Sequence, residues 1–137
     1  MKLVSGILFA AVTLACGSSL AGKTDGMFTV EAKASPDKLA AAAKGTVEIV
    51  VKVNPEGHIS NEAPLKVSLA VKNVQIAKEK YTKADAVYKD GGAALSVPFT
   101  AGEKGAATVD AEMTFFICSK EICEKHEKKL SIPVTVQ

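Results

Sequence analysis

Apolar and polar residues alternate along much of the chain, and that period of two predicts strands. Val47, Ile49, Val51 and Val53 interleave with Thr46, Glu48 and Lys52, and Leu65, Val67, Leu69 and Val71 interleave with Lys66, Ser68 and Lys72. Further along, Val109, Ala111, Met113, Phe115 and Ile117 share one face of a run whose other face carries Asp110, Glu112, Thr114, Phe116 and Cys118. Leu130, Ile132, Val134 and Val136 form a last regular strand. Phe28–Val30–Ala32 and Leu95–Val97–Phe99 alternate in the same way, with Pro98 pointing to an edge or a bulge, and Ala84 to Tyr88 reads as a short edge strand. Turns are marked by Asn54-Pro55-Glu56-Gly57, Asp90-Gly91-Gly92 and Gly102 to Gly105. Ser35-Pro36-Asp37 opens either a helical turn through Lys38 to Ala43 or a plain inter-strand loop. Seven to eight short strands between frequent turns predict an all-β, immunoglobulin-like antiparallel β-sandwich.

The first residues follow a different rule. Met1-Lys2 is a short positive start, Leu3 to Ala15 is mostly apolar, and Ser19-Leu20-Ala21 is a small-x-small cleavage pattern. Residues 1–21 therefore read as a secretory signal peptide, and residues 22–137 as one domain. Thr13-Leu14-Ala15-Cys16 also reads as a bacterial lipobox, in which the signal ends at residue 15 and Cys16 is lipidated. Either route predicts an exported protein, periplasmic or lipid-anchored in a bacterial envelope. Membrane contact is expected only through that lipid. A formal net charge of +2, with Lys and Glu interspersed, gives no footprint for nucleic acid. No nucleophile elbow, zinc-protease motif or phosphate loop is present, so neither a hydrolase nor a bound cofactor is expected.

Removal or acylation of Cys16 leaves Cys118 and Cys123 as the thiols of the exported domain. They flank four residues, so a hairpin closing there sets them opposite each other, at the Cα separation of about 4.5–5.5 Å that a disulfide tolerates. Alternation places Cys118 on the outer face beside Phe116, where it is expected to be more reachable than a core thiol, while Phe115 belongs to the core. Two functions fit this pair: thiol-disulfide exchange with protein partners, or a structural clip in a sandwich domain that binds a partner. Lys120, Lys125 and His126 favour a thiolate nearby, and Glu121, Glu124 and Glu127 oppose it. A third reading makes Cys118, Cys123 and His126 metal ligands, with His58 too distant in sequence to be counted as a fourth. The plainer expectation is that His126 is a solvated loop residue and His58 a turn residue.

The segment Phe115-Phe116-Ile117-Cys118-Ser119-Lys120-Glu121-Ile122-Cys123, followed by Leu130 to Val136, resembles the C-terminal end of the N-terminal domain of the DsbD family. Pro55-Glu56-Gly57-His58-Ile59 and Lys104-Gly105 are similar to other segments of that pattern. His58 falls where the family carries tyrosines near its site. The resemblance implies an immunoglobulin-like sandwich whose Cys118 and Cys123 exchange electrons with other periplasmic thiol-disulfide proteins, supplied by a membrane electron donor.

Overall fold

The computed structural model describes residues 24–137. The expected signal segment 1–21, with Cys16, lies outside the described residues. A 3-10 turn at Asp25–Met27 leads into β1 (Phe28–Ser35), β2 (Lys38–Leu39), β3 (Lys44–Val53), β4 (His58–Ile59), β5 (Lys66–Lys72) and β6 (Val74–Ile76). Then follow β7 (Lys80–Thr82), a 3-10 turn at Lys83–Asp85, β8 (Val87–Lys89), β9 (Gly92–Ala101), β10 (Gly105–Cys118) and β11 (Cys123–Val136).

Two sheets form. One has the order β1-β3-β9-β6 with β8 also on β9; the other has the order β2-β11-β10-β5-β7 with β4 also on β10. Val47, Ile49 and Val97 of the first sheet and Val67, Val109, Phe115 and Ile117 of the second are buried, so the inward halves of the alternating runs meet as one core. The chain is thus an all-β, immunoglobulin-like sandwich, as its alternation requires. Six strands of seven residues or more account for most of it, and five segments of two or three residues bring the described total above the expected seven to eight. Among the described residues no helix is long and apolar enough to cross a membrane.

Local departures have physical reasons. Between Ser35 and β3 the chain makes no helical turn: Lys38 and Leu39 pair parallel to Thr135 and Val136, and the buried Leu39 joins the core. Pro98 lies in β9 between the stretch paired to β8 and the stretch paired to β6, so the strand is open on one side there and a missing N–H is tolerated. The largest difference is β11. It begins at Cys123 and continues the ladder through the charged stretch 124–129, giving fourteen consecutive register pairs with β10 from Gly105–Val136 to Cys118–Cys123. Glu124, His126 and Lys128 stand at core-face positions opposite Ile117, Phe115 and Met113, so polarity hides the alternation while the partner strand maintains it.

Candidate functional site

The far end of the β10–β11 hairpin carries the cysteine pair. Ser119 N donates to Ile122 O at 2.8 Å, while the Ser119 hydroxyl accepts from the amides of Glu121 and Ile122 at 3.2 Å each. Ser119 and Ile122 thus occupy hydrogen-bonding positions, and the preceding pair Cys118–Cys123 falls at the non-hydrogen-bonded type of site, where Cα atoms approach more closely. Here they stand 3.9 Å apart and the sulfurs are bonded at 2.03 Å.

The two sulfurs have unequal surroundings. Cys123 is exposed, whereas Cys118 is only 4 % exposed. Cys118 does face outward from the core, as alternation requires. It is nevertheless covered, because β10 is an inner strand of its sheet: Cys123 flanks Cys118 on one side and His58 of β4 on the other. The expectation that this thiol is more reachable than a core one is corrected accordingly. Sequence distance had removed His58 from the site, yet register puts it directly opposite Cys118. Gly57, one residue earlier, sits so near the Cys118 carbonyl that an added Cβ would lie 3.2 Å from that oxygen. Met27, Glu56, Ser119, Lys120 and Glu121 border a shallow cavity of about 350 Å³ at the hairpin turn, and Ile122 at the tip is 40 % exposed.

On the opposite face of the same hairpin end lies a polar cluster. His126 is 8 % exposed and packs against Phe28 and Phe115 with ring centroids 4.5 and 5.9 Å away, so it is a buried strand residue rather than a solvated loop residue. Thr24, fully buried, gives its amide to Glu124 Oε1 at 2.7 Å and its hydroxyl to the same oxygen at 2.9 Å. Its Oγ1 also lies 2.6 Å from His126 Nε2. With the hydroxyl proton directed to Glu124, Nε2–H is the donor in that contact. His126 Nδ1 faces Asp25 Oδ1 at 3.4 Å. A hydroxyl, an imidazole and a carboxylate in this order bring a nucleophile triad to mind. Thr24 has no accessible surface and its proton is already engaged, so the cluster acts as a pin for the N-terminal turn.

Cys118 and Cys123 therefore come together, Phe115 is core, and Phe116 is half-buried on the outer face. His126 is on the inner face, away from the sulfurs, and among the described residues no group of three His, Cys, Asp or Glu side chains could hold a metal ion. Sequence reasoning missed the Thr24–Glu124–His126 cluster. The available signal was that Glu124 and His126, two apart, extend the apolar face of Leu130 and Ile132.

No family model matches the chain, and no curated protein matches it. Among solved structures it is similar to AggA, the major subunit of aggregative adherence fimbriae type I from Escherichia coli, at 14 % identity and TM-score 0.42, over 80 % of this chain and 95 % of that one. It is also similar to the CooA pilin subunit from enterotoxigenic Escherichia coli, at 14 % identity and TM-score 0.24, over 80 % and 99 % of the two chains. A family 123 glycoside hydrolase from Clostridium perfringens aligns at 9 % identity and TM-score 0.33, over 80 % of this chain and 28 % of that one. At these identities and scores, nothing about function follows from the likeness.

Proposed function

We propose that the protein is an exported or lipid-anchored sandwich domain that binds a partner protein, with the Cys118–Cys123 disulfide as a structural clip. The observation that carries the clip is the burial of Cys118: one sulfur-bearing residue of the pair is enclosed within the sheet, between Cys123 and His58, and its bond ties the last register pair of a fourteen-pair ladder. Such a bond limits fraying of the hairpin end whether or not electrons ever pass through it. Equilibration of the protein with glutathione buffers tests this reading. A clip has a reduction potential below about −300 mV and stays oxidised throughout, whereas a potential in the range of exchange catalysts, about −120 to −270 mV, overturns it.

A second reading, thiol-disulfide exchange of the kind the DsbD-like residues imply, is favoured by the exposure of Cys123. An incoming thiolate would attack the Cys123 sulfur, forming a mixed disulfide and releasing Cys118 as the thiolate; attack by a second thiolate would release Cys123 and complete a two-electron reduction. Other periplasmic thiol-disulfide proteins, one of them fed by a membrane electron donor, are the partners of that reading. A Cys118→Ser protein that captures no partner through Cys123 in the periplasm counts against it.

A further inference from the structure

The N-terminal turn Asp25–Met27 and the disulfide lie at the same end of the sandwich, and side chains of β11 join them. Thr24 is held by Glu124, one residue beyond Cys123, and by His126, three residues beyond it. Glu124 is the register partner of Ile117, the residue before Cys118. The carboxylate that accepts both Thr24 protons therefore rides on the first ladder pair inside the disulfide. On its other side the turn is tied to the chain after β3, where Asn54 N donates to Met27 O at 2.8 Å.

We propose that the Cys118–Cys123 bond locks this N-terminal strap, so that opening the bond releases residues 24–27 from the end of the sandwich while the two sheets stay folded. The proposal rests on the clip reading and says what is clipped. Near the loop, β11 pairs with β10 alone, because its pairing with β2 is confined to Thr135 and Val136, so its hold on the sheet there rests on the ladder and on the loop that closes it. With the bond intact, the 117–124 pair abuts a covalently closed loop, residues 118–123, and Glu124 is held where Thr24 meets it. With the bond reduced, the loop is held by the Ser119–Ile122 turn bonds alone, and the 117–124 pair opens locally more often while the rest of the ladder persists. Thr24, which has no exposed surface, then exchanges its bonds to Glu124 for water. The reductant is a dithiol: it gives two electrons and two protons, becomes a cyclic disulfide, and leaves Cys118 and Cys123 as free thiols.

Amide hydrogen exchange of the full chain, oxidised and after reduction with dithiothreitol, tests the lock, with mass confirming the gain of two hydrogens. The amides of residues 24–27 are expected to exchange at least about tenfold faster once the bond is open, with β3 and β9 unchanged. A Cys118→Ala/Cys123→Ala double variant opens the same end without reductant and is expected to reproduce the pattern. Thr24→Val removes the hydroxyl's contacts with Glu124 and His126, and its strap is expected to exchange fast in the oxidised state with little further gain on reduction. Strap protection that survives opening of the bond overturns the proposal, as does acceleration spread evenly over β3 and β9. Failure of the clip reading shows elsewhere, as a glutathione-range potential, so the two failures are distinguishable.

Discussion

Replacing Cys118 and Cys123 together with Ala measures what the bond contributes to folding. Ala rather than Ser is the informative choice, because Cys118 is buried and a serine there would carry a hydroxyl into the sheet. The cysteines are five apart in sequence. Closing a loop of about six residues removes roughly 7 cal/mol/K of entropy from the unfolded chain, or about 2 kcal/mol at 25 °C. A domain of this size unfolds with about 0.24 kcal/mol/K, so the midpoint should fall by roughly 8 °C. The hairpin itself should persist, because its ladder and the Ser119 turn bonds do not involve sulfur. Thermal unfolding followed by circular dichroism, with oxidised, reduced and double-variant samples side by side, gives the number. A fall of less than about 2 °C would refute the entropic argument, which needs the unfolded chain to gain freedom when the bond is gone. Loss of the folded state altogether would refute the claim that the sheets stand without the clip.

Three further outcomes follow from other parts of the fold. Gly92→Ala places a Cβ against the backbone carbonyl of Val51, which cannot move without breaking the β3–β9 ladder; a loss of about 2 kcal/mol or more in urea unfolding is expected, and a neutral result refutes the close approach. The Asp85 carboxyl is held below the usual carboxylate range by its hydrogen bond to Lys78 and by the amide of Thr82. Its contribution is therefore present above its unfolded pKa and lost as pH falls through the folded value, so the urea midpoints of wild type and Asp85→Asn should converge in acid; a gap that does not narrow as pH falls below the ordinary carboxylate range contradicts this. Burial pushes the Tyr88 phenol above its ordinary pKa, and its hydroxyl has no hydrogen-bond partner among the described residues. The folded state then holds the phenolic proton longer than the unfolded one, and stability should fall as pH rises past about 10. Tyr88→Phe should shrink that alkaline loss and cost little stability at pH 7; an unchanged alkaline profile would show that Tyr88 is not its source.

The sandwich was legible because its core strands obey a period of two, and burial of Val47, Ile49, Val97, Val109, Phe115 and Ile117 enforces that period. The disulfide was legible for the same reason, since a four-residue loop between alternating runs leaves the two cysteines facing each other. What surrounds the bond was not. His58 reaches Cys118 through a two-residue strand, a length at which alternation has no statistical weight, and Cys118 is buried by sheet order, which no local pattern encodes. The N-terminal pin was hidden more deeply. Glu124 and His126 look like surface residues because they are polar, and Thr24 precedes the first alternating run, so no pattern marks it. Their burial follows from the length of the β10–β11 ladder: a hairpin of fourteen pairs carries its tip to the end of the sandwich, where the core-face positions meet the arriving N-terminal turn instead of the opposite sheet. Polar residues there satisfy the Thr24 amide and hydroxyl, which apolar ones would leave without partners. The same geometry places the pin and the disulfide on opposite faces of adjacent ladder pairs, so the chemistry of one sulfur–sulfur bond and the position of the N-terminal turn are mechanically linked.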